Sequence, residues 1–96
     1  APIGITQIAP TGEYLTVNKK YTDFVGYDEI DLQTLTFQDI THPDDIALDL
    51  AQTQSLLAGE ISTFSMEKRY LCKDGQVRWG NLTASLINDP ENDFHY

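Results

Sequence analysis

The sequence predicts an α+β domain built on an antiparallel sheet. Both ends of the chain carry the alternating or β-branched patterns of strands, and the middle changes to helical spacing with capping residues. Strands grouped at the two ends of a helical middle favour this fold class.

Two short strands are predicted first. Residues 3–8 alternate apolar with other residues, and residues 14–17 are β-branched and aromatic. The Pro-Thr-Gly run at 10–12 supplies turn chemistry between them. The two strands are therefore predicted to form a hairpin.

A short helix should follow. Asn18 is a good N-cap, because its side-chain oxygen can accept from an amide of the first turn. Tyr21, Phe24 and Val25 then fall on one helical face, and Gly26 is placed as the stop signal.

Two single helical turns are expected next, beginning at Asp28 and Thr36. Each has a carboxylate three residues further on, which is the spacing of a capping box. Elements this short depend on their caps. Their predicted buried anchors are Leu32, Leu35, Phe37 and Ile40.

The longest helix is predicted to open at the His-Pro-Asp-Asp run of residues 42–45 and to end at Gly59. Proline suits the first helical position, and Asp44 and Asp45 meet the positive end of the helix dipole. The predicted buried stripe is Ile46, Leu50 and Leu57, with Ala47, Ala51 and Gln54 beside it.

Two long strands, residues 63–72 and 76–87, flank an Asp-Gly turn at 74–75. A second turn is expected at 88–92, before a strand that only begins at 94–96. Residues on one face of the first long strand are Phe64, Met66, Lys68, Tyr70 and Cys72. Those predicted to face inward on the second are Gly80, Leu82, Ala84 and Leu86, and those outward are Trp79, Asn81, Thr83 and Ser85.

The composition excludes several classes of binding partner and site. A net charge of −9 argues against nucleic acid and anionic membrane, since both require a basic surface. One cysteine, Cys72, can build neither a disulfide framework nor a zinc cluster, and it suggests a reducing, cytoplasmic compartment. No apolar run reaches the length of a membrane span.

The ordered set of short motifs resembles the PAS domain, the sensory and interaction module of bacterial signalling proteins. The matching pieces are residues 2–5, Val17-Asn18, Gly26-Tyr27, residues 42–45, residues 67–70, residues 73–75 and Trp79.

This resemblance implies a five-stranded antiparallel sheet with short helices and one longer helix on one face, enclosing a pocket. It also implies a fifth strand placed between the first and the fourth. Only residues 94–96 represent that strand here, so residues 1–96 are expected to be a single PAS domain without most of its last strand and its signalling helix. A neighbouring molecule is a possible source of the missing strand pairing.

Lys68 is the least expected inward residue, because a buried ammonium is costly without a partner. One interpretation is a pocket cation for an anionic ligand. The other is a structural pair with an acid of the helical side, such as Asp39 or Asp45, or an ammonium that reaches solvent.

The remaining site candidates are grouped by place. Pocket or ligand candidates are Lys68, Tyr70, Met66, Phe64, Gly80, Leu82, Ala84, Phe24 and Leu50. Gly80 and Ala84 either leave room for a ligand or let a helix approach. Candidates for an interface on the outer sheet face are Trp79, Asn81 and Thr83.

No catalytic, metal or cofactor site is predicted. Cys72 lacks the Asn-Cys-Arg-Phe-Leu context of flavin-binding relatives, so a flavin adduct is not expected. His42 and His95 are the only haem candidates, and neither lies within the long helix; His42 is expected to cap it instead. No nucleophile–base arrangement or phosphate loop is recognisable.

The first hypothesis is a sensory and dimerisation module of a prokaryotic two-component or related signalling protein. A histidine kinase is its preferred output domain, and a cyclic-di-nucleotide enzyme or transcription regulator are the other options. The alternative is a small-molecule receptor with its ligand in the pocket. The expected partners are a second copy, a signalling helix or an output domain.

Overall fold

The computed structural model describes residues 3–89 and 93–95 of the 96-residue chain. Its strands are β1 (Thr6–Ile8), β2 (Tyr14–Val17), β3 (Thr63–Leu71), β4 (Val77–Ser85), β5 (Ile87–Asp89) and β6 (Asp93–His95). Its helices are α1 (Lys19–Val25), α2 (Glu29–Leu32), a 3₁₀ helix (Phe37–Ile40) and α3 (Pro43–Leu57). All strand pairs are antiparallel, and they form the hairpins β1–β2, β3–β4 and β5–β6. The α+β prediction is therefore confirmed.

Asn18 organises the first part of the chain. It caps α1 by accepting from the Tyr21 amide at 3.0 Å, as predicted. The same amide side chain also accepts from the Ile5 amide at 2.9 Å and donates to the Ile3 carbonyl at 2.9 Å. Strand β1 is shorter than the predicted 3–8: before Thr6, the Ile5 carbonyl accepts from the Asn18 amide at 3.1 Å while the Ile5 amide donates to the Asn18 side chain, and the regular ladder begins only at Thr6.

The short helical elements begin and end at their predicted capping residues. Gly26 ends α1 with a φ of 78°, which is the left-handed region that glycine favours. Asp28 and Asp31 form the predicted capping box at α2. The anchors Leu32, Phe37 and Ile40 are buried, and Leu35 is half-buried.

The orientation of α3 differs from the prediction. His42 Nδ1 accepts from the Asp44 amide at 3.1 Å, so the predicted cap is confirmed. The fully buried positions of α3, however, are Asp49, Thr53 and Leu56. Ile46, Leu50 and Leu57 are half-buried, so the predicted stripe lies at the margin of the buried face, and Ala47, Ala51 and Gln54 beside it are exposed. We attribute this rotation to the ion pairs that join α3 to β3. Pairing the buried charges takes precedence over burying the apolar stripe completely.

The β3–β4 hairpin supplies the long surface of the sheet. Its nine-residue ladder pairs Lys68 with Gly80 and Arg69 with Trp79. Gly75 has a φ of 88° in the predicted Asp-Gly turn. Phe64, Lys68, Tyr70, Cys72 and Ala84 are buried, and Met66, Gly80, Leu82 and Leu86 are half-buried, so the predicted inward face is confirmed.

The hairpins do not join into one ladder over residues 3–89 and 93–95. The beginning of a strand near 94–96 is found as β6, whereas Tyr96 and residues 90–92 of the predicted turn lie outside the described residues. Pro2 of the PAS-like motif also lies outside them. The outer edge of β3 is partly covered, since the His42 amide donates to the Arg69 carbonyl at 3.0 Å.

An ion pair between Asp45 and Arg69 fastens the start of α3 to β3. The carboxylate accepts from the Arg69 amide at 2.7 Å, from Nε at 3.0 Å and from Nη2 at 2.8 Å. These contacts with Arg69 hold the pKa of Asp45 at about 2. The sequence analysis assigned Asp45 to the helix dipole or to a pair with Lys68, and it missed the contact with Arg69.

We predict that Asp45→Asn lowers the melting temperature at neutral pH and that this difference shrinks in acid. The folded-state pKa lies below the unfolded value of about 3.9, so the stabilisation is present above about pH 4 and is lost towards pH 2. Thermal melts from pH 7 to pH 2 measure it. Asp44→Asn is the control, because the Asp44 side chain is 72% exposed. An Asp45→Asn difference that grows on acidification would contradict the assignment.

Candidate functional site

An open cavity of about 760 Å³ lies between β1, the β3–β4 hairpin and α1. Its inner wall is formed by Tyr21 and Phe24 of α1, Lys68 and Tyr70 of β3, and Asp49 of α3. Its outer part runs between the backbones of β1 and β4. Other residues that line it are Ile3, Gly4, Ile5, Thr6, Ile8, Tyr14, Lys20, Phe37, Gly80, Asn81, Leu82, Thr83, Ala84, Ser85 and Ile87.

Lys68 lies at the inner end of this cavity with 3% of its surface exposed. Its ammonium donates to Asp49 Oδ2 at 2.6 Å and to Thr41 Oγ1 at 3.0 Å. The rings of Tyr70 and Phe37 lie 4.8 and 5.3 Å from Nζ. Burial lowers the pKa of Lys68, and the Asp49 charge opposes that change.

The partner of Lys68 was missed by the sequence analysis. It is an acid of the helical side, but neither Asp39 nor Asp45. Asp39 accepts from the Thr36 amide at 2.9 Å, and Asp45 is engaged by Arg69. Asp49 lies four residues after Asp45, and that spacing on a helix is also typical of a solvent-facing acidic row. The inward lysine, which requires a carboxylate within reach of β3, was the one sequence signal for Asp49.

The Tyr70 ring packs across the sheet surface against an aromatic ring of α1. Its ring meets Phe24 edge-on at a centroid distance of 5.3 Å. A Cβ atom on Gly80 would lie 2.8 Å from Tyr70 Cε1 and 3.3 Å from Phe24 Cζ. Gly80 therefore leaves room for two aromatic rings of the protein itself.

The tyrosine hydroxyls differ in their bonding. Those of Tyr14 and Tyr21 lie 2.6 Å apart and hydrogen-bond to each other. The Tyr70 hydroxyl makes no hydrogen bond to any residue within the described part of the chain, although Tyr70 is only 7% exposed. Burial and the nearby Asp49 charge raise the pKa of Tyr70 to about 12, so the group stays protonated at neutral pH.

The structure brings six of the nine pocket candidates to the cavity wall: Lys68, Tyr70, Gly80, Leu82, Ala84 and Phe24. The other three are not among the lining residues. Phe64 and Met66 belong to a second apolar cluster around Leu56, and Leu50 packs against the main core.

The interface candidates lie on the outer face of β4. Trp79 is 61% exposed, and the Arg69 guanidinium sits 4.9 Å from its ring centroid. Thr83 shares a hydrogen bond of 3.0 Å with Ser65 on β3. Asn81 and Thr83 are exposed and also reach the edge of the cavity.

The single cysteine of the chain lies in the protein interior. Cys72 is buried, its thiol lies 3.6 Å from the Phe24 carbonyl oxygen, and burial raises its pKa. No metal-binding cluster of His, Cys, Asp and Glu occurs within residues 3–89 and 93–95. The side chain of His95 lies outside the described residues. No helix in the described part is long and apolar enough to cross a membrane.

Comparison with known proteins agrees with this architecture. The family profile described as PAS fold matches residues 14–96, and the chain therefore belongs to the PAS fold family. The PAS fold defines a class of sensory module.

Two curated relatives place similar sequence inside much larger signalling proteins. The chain is 44% identical over 85 residues to the probable diguanylate cyclase DgcE of Escherichia coli (strain K12), covering 88% of this chain and 8% of that protein. It is 29% identical over 85 residues to the sensor histidine kinase TmoS of Ectopseudomonas mendocina, covering 88% of this chain and 9% of that protein. The chain thus spans less than a tenth of either relative.

A solved structure of the same fold is the PAS-B domain of Drosophila melanogaster Cycle with bound ethylene glycol. It superposes with a TM-score of 0.84 at 15% identity, covering 97% of this chain and 93% of that one. At this identity the likeness concerns the fold alone.

We predict that Lys68→Met destabilises the domain by about 3–5 kcal/mol, because it leaves Asp49 buried without its cation. The double variant Lys68→Met with Asp49→Leu should recover most of that loss, since no unpaired charge remains. Urea unfolding of the wild type, both single variants and the double variant measures it. A double variant no more stable than Lys68→Met would contradict the pairing.

We predict that Gly80→Ala costs about 1–3 kcal/mol, the range for overpacking, because the new methyl group meets the Tyr70 ring. In a Tyr70→Ala background the same substitution should cost almost nothing. A double-mutant cycle by urea unfolding checks the coupling. Equal costs in both backgrounds would mean that Tyr70 does not occupy the space above Gly80.

Proposed function

We propose that this PAS domain is the input module that regulates a diguanylate cyclase output domain in a larger signalling protein. The 44% identity to DgcE over 85 residues carries the proposal. A histidine kinase, the output that the sequence analysis preferred, is the second candidate, supported by the 29% identity to TmoS.

The proposed relay passes between the sheet and α3. Two adjacent residues of β3, Lys68 and Arg69, hold two acids of α3, Asp49 and Asp45. Because Lys68 lines the cavity and Arg69 lies beside Trp79, events on either face of the hairpin reach the same helix. A ligand or partner that binds one arrangement of this joint more tightly shifts the population towards it.

We further propose that the outer sheet face around Trp79 contacts a second copy or a flanking signalling segment. An indole that is 61% exposed presents a large apolar surface to water, and such surfaces favour association. Val77 is 50% exposed on the same face of β4 and adds to that surface. The edges of β1 and β4, which face each other across the cavity, are a second place where an extended strand would pair.

A receptor role is supported by the cavity itself. Its volume of about 760 Å³ lies within the range of small-molecule sites, and a few polar groups converge on an otherwise apolar wall. In this proposal ligand binding is the signal, and the joint between β3 and α3 transmits it.

We predict that Trp79→Ala in the full-length protein changes the rate of cyclic-di-nucleotide synthesis several-fold and weakens self-association. The melting temperature of the isolated domain should change little, because the indole is largely exposed. The readouts are product formation, sedimentation and thermal melts. Ile30→Ala is the matched control, since Ile30 is 74% exposed but lies on α2, away from this face.

Unchanged synthesis and association in Trp79→Ala would refute the interface. If the full-length protein autophosphorylates and makes no cyclic di-nucleotide, its output domain is the kinase and not the cyclase.

A further inference from the structure

We propose that the cavity binds an uncharged, mainly apolar molecule that carries one hydrogen-bond acceptor, and that the Tyr70 hydroxyl donates to that acceptor. The proposal rests on the sensory function proposed above and names the ligand class of the same site. Three features of the inner wall lead to it: its charge balance, the bonding of its hydroxyl groups, and its apolar surface.

The charge balance disfavours an anionic ligand. Lys68 is the cation at the inner wall, and Asp49 already neutralises it at 2.6 Å. A carboxylate entering beside this pair would be desolvated with no free cation to compensate, and it would lie close to the Asp49 charge. Lys20 also lines the cavity but is exposed, so water screens its charge.

The Tyr70 hydroxyl is available as a donor. Tyr14 and Tyr21 hydrogen-bond to each other, whereas Tyr70 makes no hydrogen bond to the described residues. Tyr70 lines the cavity, and although the residue is only 7% exposed, its hydroxyl is not cut off from the open space of the cavity. A ligand oxygen or ring nitrogen that accepts from this hydroxyl would replace its contact with water, for the modest net gain of one intramolecular hydrogen bond. Because burial raises the pKa of Tyr70 to about 12, the group acts as a donor at neutral pH.

The rest of the inner wall is apolar. Phe24, Phe37, Ile8 and Leu82 surround the site with aromatic and aliphatic carbon. Such a wall stabilises an apolar body, and the Tyr70 donor then fixes its orientation.

Three probes of nearly equal size test the proposal on the 96-residue chain: acetophenone, ethylbenzene and benzoate. They share a benzene ring and differ in carrying a neutral acceptor, no acceptor, or a charge. Chemical-shift titration should locate acetophenone beside Tyr70. Its affinity should exceed that of ethylbenzene about 2- to 12-fold, the range given by one net hydrogen bond. Benzoate should bind weakest.

Two variants assign that preference to Tyr70. Tyr70→Phe should abolish the advantage of acetophenone over ethylbenzene while leaving ethylbenzene affinity nearly unchanged. Tyr27→Phe, which removes a hydroxyl that is not among the cavity-lining groups, should keep the advantage. Asp49→Asn leaves Lys68 unpaired and should raise benzoate affinity relative to acetophenone. If Asp49→Asn does not fold, the probe affinities of the wild type, Tyr70→Phe and Tyr27→Phe still test the proposal.

Any of three results would overturn the proposal. Benzoate could bind most tightly, acetophenone could keep its advantage in Tyr70→Phe, or none of the probes could bind near Tyr70. These failures are separate from failure of the sensory function. Suppose that the output of the full-length protein depends on Trp79 but the domain binds no probe. The proposed function would then stand, and the proposed ligand class would be refuted.

Discussion

A single buried ion pair, Lys68 with Asp49, constrains most of this domain. Lysine at an inward position of β3 brings a charge into the interior, and that charge requires a carboxylate within hydrogen-bonding distance. Meeting this requirement fixes the rotation of α3 on the sheet. It also recruits Thr41, whose hydroxyl accepts from Lys68 and donates to the Phe37 carbonyl at 2.7 Å. The long helix, the 3₁₀ helix and the hairpin therefore share one polar centre.

Aromatic packing links the opposite side of the cavity to the same hairpin. Tyr70 lies in the space that Gly80 leaves open, and its ring meets Phe24 of α1 edge-on. A molecule in the cavity would thus touch α1 through Phe24 and α3 through Lys68 and Asp49. Both helices would respond to the same occupant, which is the physical basis of the proposed relay.

The outer sheet face is connected to α3 as well. Arg69 holds Asp45 through two guanidinium hydrogen bonds and lies over the exposed Trp79 ring. A partner that covers Trp79 would strip water from this ion pair and strengthen it, because the local dielectric would fall. In the proposed function, an internal and an external input would therefore act on neighbouring residues of one strand.

The sequence by itself determined the local structure. The Asn18 cap, the Gly26 stop, the Asp28 capping box and the Asp-Gly turn depend on residues a few positions apart, so their chemistry is visible in the chain. The alternation of β3 and β4 likewise determined which residues face inward, Lys68 included. Only the tertiary structure decided which acid meets Lys68, how α3 is rotated, what fills the space above Gly80, and that Asn18 also pins residues 3–5. Those outcomes join residues that lie far apart in the chain. Helical periodicity alone favoured an apolar stripe, whereas the cost of an unpaired buried charge placed Asp49 on the fully buried face of α3.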